Sequence, residues 1–160
     1  MSETIYIGVD IGGTAIKVGI CNANGDLLRT FEGPTETEQG ADRILSNIAD
    51  YVRRIVAESP YDWEQVAGVG VGIAGFLDFE RGIVQFSANL PLVNVALKDY
   101  LEGALNKPVR VNNDANVAAL GEAWGGAGRG VSSCVCYTLG TGVGGGILVG
   151  DRLIEGFNGM

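Results

Sequence analysis

Three short stretches of this 160-residue chain carry residue types that can do chemistry. The first is Asp10-Ile11-Gly12-Gly13-Thr14, followed by Lys17. A glycine turn can present backbone N–H groups to a phosphate, because no Cβ blocks the approach. Asp10 offers a hard oxygen that suits Mg²⁺ through water, and Thr14 offers a hydroxyl. A P-loop or a dinucleotide fingerprint would open a helix here. Residues 15–20 instead read as strand, so the expected element is a phosphate-binding hairpin. A Gly-Gly hairpin also occurs as a plain structural turn.

The second stretch is Leu139-Gly140-Thr141-Gly142-Val143-Gly144-Gly145-Gly146, with five glycines in its last seven positions. Each glycine inside a sheet weakens it, so that many need a reason. A loose hairpin or a bulge is one reading. The other is a second phosphate hairpin, with Gly140, Thr141, Gly142, Gly144 and Gly145 facing the ligand. The two hairpins would then close on one nucleotide's phosphates from both sides.

The third stretch is Asn112-Asn113-Asp114-Ala115-Asn116, where an apolar strand gives way to a helix. Asn and Asp are favoured helix caps, which accounts for one of the four polar residues. Open α/β sheets bind ligands at the carboxyl ends of their strands. Asp114 there can orient an attacking hydroxyl and accept its proton in a phosphoryl transfer. Asn113 and Asn89 can hydrogen-bond a polyol, since an amide both donates and accepts. Asn89 lies in a loop, where Asn is also a common turn former. Gly75 ends an apolar strand and would let a ligand lie against the backbone, or would simply bend the chain.

The elements that must position these residues can be read from hydrophobic spacing. Residues 4–9 alternate as a strand, with strands at 15–20 and 27–31 around the Asn24-Gly25 turn. Residues 32–39 read as a polar loop. Residues 41–58 carry an apolar stripe of helical period, stopped by Ser59-Pro60. Residues 66–73 read as a strand buried on both faces and therefore parallel to its neighbour. Next come a strand at 82–86, a helix at 95–105 capped by Asn94, a strand at 109–111 and a helix at 114–124. Strands at 131–139 and 142–149 close the series. The expected fold is an α/β lobe ordered βββαββαβα, spanning residues 1–118. The opening hairpin of a second, similar lobe would occupy residues 119–160, as an internal duplication. The final residues do not read as a domain end.

Composition narrows the classes. There are 11 Lys and Arg against 19 Asp and Glu, a net charge of -8, and no basic run longer than Arg53-Arg54. A nucleic-acid partner is not expected. The longest apolar runs are too short for a membrane span, and the N-terminus lacks a signal-peptide pattern. Histidine is absent, which removes Ser-His-Asp and Cys-His catalysis from within the chain. The three cysteines are read as reduced core thiols of a cytoplasmic protein, Cys134 and Cys136 sharing one strand face.

Asp10-Ile-Gly-Gly-Thr-x-x-Lys17, Asn113-Asp-Ala-Asn116 and the 139–146 run stand in the order and spacing of the ROK family. The chain resembles that family from Ile5 to Gly159. The stretch from Asn113 to Gly128, with Gly-Glu-Ala-Trp124, is most similar to its glucokinases. The resemblance implies the actin-like ATPase (ribonuclease H-like) fold. It also implies transfer of the ATP γ-phosphoryl group to the 6-hydroxyl of a hexose, foremost glucose. Asp114 would be the catalytic base. Asn89, Asn113, Asp114 and the Gly75 backbone would contact sugar, and Asp10 would serve Mg²⁺. Asp10, Gly12, Gly13, Thr14, Lys17 and the second glycine run would hold ATP.

Family kinases run to roughly twice this length, so the resemblance implies an N-terminal half with little activity alone, and a homodimer for the full-length form. The family's Glu-x-Gly-His motif and structural Zn²⁺ site would lie in the second lobe. Family repressors carry a DNA-binding domain ahead of the first motif, and nine residues precede Asp10, so a repressor is not expected. N-acetylmannosamine, N-acetylglucosamine and fructose remain alternative sugars. A non-catalytic sugar-binding module and an actin-like polymer subunit are the readings of other classes.

Overall fold

Alternation in residues 5–11 decides the first element. Ile5, Ile7, Val9 and Ile11 are buried, while Tyr6, Gly8 and Asp10 face the other way. This strand, β1 (Ile5–Ile11), pairs antiparallel with β2 (Ala15–Asn22), which pairs with β3 (Leu27–Pro34). On its other side β1 pairs in parallel with β4 (Val66–Ile73), and β4 with β8 (Val109–Asn113). The sheet order is β3-β2-β1-β4-β8. The structure, a computed structural model, describes residues 3–140 and 142–156.

One sheet face carries the core. Helix α1 (Ala41–Ala57) lays Ile44, Ile48, Val52 and Ile55 against it, and α2 (Leu97–Leu105) adds Leu97, Leu101 and Leu105. These side chains are fully buried, each contributing about 1.5–3 kcal/mol of transfer free energy. The opposite face has glycines at its centre: Gly8, Gly19, Gly70 and Gly72. Helix α3 (Asp114–Gly125) lies on this face, where a Cβ on Gly72 would stand 2.6 Å from the Val117 methyl. The other side of α3 meets the hairpin of β9 (Ser133–Leu139) and β10 (Val143–Val149), to which β11 (Arg152–Leu153) is added. The helix is thus continuous across residue 118, where the lobe boundary is expected, and packs on both sheets.

β5 (Phe76–Asp78), β6 (Ile83–Phe86) and β7 (Val93–Val95) form a small antiparallel sheet after β4. The expected order holds, with β5, β7 and β11 added and β6 standing where a strand at 82–86 is expected. Asn94 caps no helix: it sits inside β7 with φ 54°, and α2 begins at Leu97 without a side-chain cap. Residues 32–34 are strand rather than loop. β3 is an edge strand, where Pro34 can end the ladder without a missing donor. Cys134 and Cys136 share the α3-facing side of β9, as their spacing implies, but are half-buried rather than core residues. All three thiols are free. No described helix is long and apolar enough to cross a membrane.

Candidate active site

The parallel register aligns Ile11, Ile73 and Asn113 across three strands. The segments that leave these strands therefore emerge at one edge of the sheet: Gly12-Gly13-Thr14 after β1, Ala74-Gly75 after β4, and Asp114 after β8. Residues more than a hundred positions apart are brought together by pairing alone.

The first turn is tight. The Gly12 amide donates to the Ala15 carbonyl at 3.0 Å. A Cβ on Gly12 would sit 2.9 Å from that oxygen, which accounts for the glycine. The amides of Gly13 and Thr14 meet no acceptor among the described residues. Asn89 lies against Gly13, its carbonyl 3.3 Å from where a Gly13 Cβ would be. Asn89 is thus beside the Gly12-Gly13 turn, not among the residues that line the cavity next to Asn113.

Asp10 and Lys17 face each other across β1 and β2, on the glycine side of the sheet. Asp10 is exposed as a residue, yet surrounding atoms desolvate its carboxyl enough to raise its pKa. The Lys17 ammonium draws the value down and the charge of Asp114 pushes it up. Asp10 and Asp114 are therefore near enough to repel, and a cation between them and a phosphate would relieve both. Among the described residues no three His, Cys, Asp or Glu side chains cluster. That donor set suits Mg²⁺, which keeps several waters and needs one carboxylate plus substrate oxygens.

At the start of α3, the Ala115 amide donates to Asn113 Oδ1 at 3.0 Å and to Asp114 Oδ1 at 2.9 Å. Asn113 is the N-cap. Asp114 is half-buried and is the acidic residue of the helix's first turn. Asn112 is structural: its Oδ1 accepts from the Asn113 amide at 2.7 Å and from Asn116 Nδ2 at 3.0 Å. Its Nδ2 donates to Glu155 Oε1 at 2.7 Å, tying the segment after β11 to this edge.

In the second hairpin the glycines divide by role. Gly140 and Gly142 have open space where a Cβ would be. Their turn is closed by the Gly140 amide on the Gly142 carbonyl at 2.9 Å, and Thr141 lies outside the described residues. Gly144 instead has a packing reason: a Cβ there would be 2.6 Å from Thr138 Oγ1 and 3.0 Å from the Ala115 methyl. Gly145 faces the cavity.

That cavity, of about 470 Å³, is lined by Gly75, Phe76, Phe79, Asn113, Asn116 and Ile147, among others. Its size and its mix of amides and apolar walls fit a small polar ligand. Gly75 has φ 152°, and a Cβ there would strike the Phe86 carbonyl. Its glycine is thus needed by the fold, while its backbone lines the cavity. Asn116 belongs to the Asn-Asp stretch but carries no assigned role in the sequence; Phe76, Phe79 and Ile147 are not evident there as site residues, and only the adjacency of Phe76 to Gly75 hints at one. A larger cavity of about 700 Å³ opens over Gly8, Gly19 and Gly70. It is chiefly apolar, with Asp10 and Lys17 on its wall, whereas the smaller cavity carries the amides of Asn113 and Asn116; Asp114 lines neither.

Comparison with known proteins adds an independent line. The ROK family profile matches residues 6–160. A glucokinase of Halalkalibacterium halodurans is 40% identical over 160 residues, 100% of this chain and 48% of that protein. A Streptomyces griseus ROK family glucokinase, solved with glucose and AMPPNP, superposes with TM-score 0.86 at 41% identity. The match covers 97% of this chain and 47% of that one. A ROK hexokinase of Thermus thermophilus gives TM-score 0.86 at 35% identity, over 98% of this chain and 50% of its own. The chain spans about half the length of the curated relatives it matches.

Proposed function

The chain belongs to the ROK family, and we propose that it supplies the N-terminal half of an ATP-dependent hexose kinase acting on glucose. The observation that carries this reading is the alignment of Ile11, Ile73 and Asn113 in the sheet. It delivers a carboxylate, a polyol-sized cavity and a turn with free amides to one edge.

In this reading the hexose occupies the cavity beside Asn113, Asn116 and the Gly75 backbone, with Phe76 and Phe79 as apolar wall. Asp114 orients the 6-hydroxyl and accepts its proton as the phosphoryl group transfers. Phosphoryl transfer is loose, so positioning and charge neutralisation carry most of the catalysis. The free amides of Gly13 and Thr14 meet phosphate oxygens from one side. Gly140 and Gly142 meet them from the other side, a role the sequence gives Thr141 as well, with Gly145 at the sugar end. Lys17 sits beside Asp10 and adds positive charge near the phosphates. ATP brings the phosphoryl group, and Mg²⁺, held by Asp10 through water, neutralises its charge. A homodimer and a reducing, cytoplasmic location accompany this reading; the three free thiols agree with the latter. Gly144 serves by holding the hairpin on α3. Residues 1–118 act as the first lobe, and the β9-β10 hairpin opens the second.

A second reading rests on the cavity alone. Its described walls come from this chain's own residues, as a sugar-binding module without turnover would need. Thermal unfolding in glucose and in Mg²⁺–AMPPNP separates the two. The kinase reading expects both ligands to raise Tm. Stabilisation by glucose alone would replace it with the module, and stabilisation by neither would remove both.

A further inference from the structure

Three polar residues, Thr35, Asn47 and Ser87, are buried among the described ones. The proposed phosphoryl transfer uses none of them. The Thr35 hydroxyl, fully buried, donates to the Gly12 carbonyl at 2.6 Å. The Ser87 hydroxyl donates to the Ala74 carbonyl at 2.8 Å. Each hydroxyl therefore grips the carbonyl just before a site glycine.

A trans peptide unit points its carbonyl and its following N–H in opposite directions, and the described chain has no cis bond. A Gly12 carbonyl held inward on Thr35 turns the Gly13 N–H outward. An Ala74 carbonyl held on Ser87 does the same to the Gly75 N–H. Neither amide has an acceptor among the described residues. Glycine backbone would otherwise sample many orientations, and each would weaken ligand binding by its lost entropy. We propose that Thr35 and Ser87 are positioning residues, Thr35 aiming the Gly13 amide at a phosphate and Ser87 aiming the Gly75 amide at the sugar.

The surroundings of Thr35 are built to hold it. Its own amide donates to the Thr14 carbonyl at 3.0 Å, so both ends of the turn are tied to one residue. Asn47, buried on α1, donates from Nδ2 to the Thr35 carbonyl at 3.4 Å and to Glu36 Oε2 at 2.9 Å. Glu36 stands at φ 59°, a conformation disfavoured for its type, and is fixed there by Arg43 Nε at 2.7 Å. Ser87 works at the other ligand: Gly75 at φ 152° lines the cavity with Asn113.

This inference rests on the proposed roles of the two ligands, and one titration tests both levels. Amide ¹H–¹⁵N spectra are recorded with Mg²⁺–tripolyphosphate and, separately, with glucose. Wild type should shift the Gly13 amide with the first and the Gly75 amide with the second. Thr35→Val should weaken tripolyphosphate binding about three- to tenfold and leave glucose within twofold; Ser87→Ala should do the reverse. Thr35→Ser should restore tripolyphosphate binding. If wild type responds and Thr35→Val titrates as wild type, or both variants weaken both ligands alike, the positioning roles are overturned. If wild type responds to neither ligand, the functional reading falls and takes this inference with it. Should Thr35→Val not fold, hydrogen exchange in wild type decides. The Gly13 amide must exchange rapidly without ligand and become protected by Mg²⁺–tripolyphosphate; protection without ligand overturns the proposal.

Discussion

Gly146 of β10 and Ala119 of α3 are packed so closely that a Cβ on Gly146 would lie 2.5 Å from the Ala119 methyl. It would also lie 2.8 Å from the Ala115 carbonyl oxygen and 3.1 Å from the Asn116 Cα, which are backbone and cannot step aside. This contact sets the second glycine hairpin against the helix that begins with Asp114. Gly146→Ala is therefore expected to cost about 1–3 kcal/mol by overpacking. The exposed Gly103 in α2 has nothing within 4 Å of a Cβ, so Gly103→Ala should stabilise by about 0.5–1 kcal/mol. Urea unfolding of the two variants checks both signs.

The charge of Asp10 is held at a cost to the fold. Its pKa is raised in the native state, chiefly by desolvation, so the native protein binds this proton more tightly than the unfolded chain does. Stability then falls as pH rises from the ordinary carboxylate value through the raised one, and stays lower above it. Asp10→Asn should unfold at a higher temperature than wild type at pH 7. The advantage should vanish at a pH below both values. The variant should at the same time lose any stabilisation by Mg²⁺–AMPPNP. A lower Tm at neutral pH would mean that Asp10 is stabilised by a partner rather than kept for one.

Asn112 joins three groups through one amide: the Asn113 N–H, Asn116 of α3 and Glu155 after β11. Asn112→Ala leaves those groups without their partner and should cost about 1–3 kcal/mol. Asn112→Asp keeps the acceptor for Asn116 but places a carboxylate against Glu155, so it should restore only part of the loss. Thermal unfolding across the pair reads the difference.

Ile48 is fully buried on α1 against the sheet. Ile48→Ala should cost about 2–5 kcal/mol, the transfer and cavity terms together. Glucose should still raise the Tm of that variant by as much as in wild type, because Ile48 packs on the face opposite α3.

Much of this was legible in residue spacing. The alternation of Ile5, Ile7, Val9 and Ile11 marks β1, and the apolar run before Gly75 implies a parallel neighbour for β4; that the neighbour is β1, and that Ala67 and Gly70 stay exposed on one face of β4, only the structure gives. Register then places Asp114 near the Gly12-Gly13 turn, so the right pairing is enough to assemble the site. The short strands β5 and β7 were not legible. Three residues around Phe76 or Asn94 carry no measurable period, and only pairing with β6 makes them strands. Thr35 was hidden for a different reason. A lone threonine after Pro34 in a polar stretch reads as loop, and its burial comes from α1 and the turn closing over it. The two kinds of glycine in the 139–146 run were also indistinguishable in sequence. Gly142 meets open space and Gly146 meets a helix, a difference that only packing creates.

The central claim is that Asp114 is the base of a phosphoryl transfer to a hexose. Its most direct test joins this chain to the C-terminal half of the Halalkalibacterium halodurans glucokinase and measures ADP release from ATP–Mg²⁺ with glucose. The account predicts glucose-dependent turnover that falls about 10²–10⁴-fold in Asp114→Asn, with glucose binding retained. A folded fusion in which Asp114→Asn turns over glucose as fast as its parent would contradict the claim.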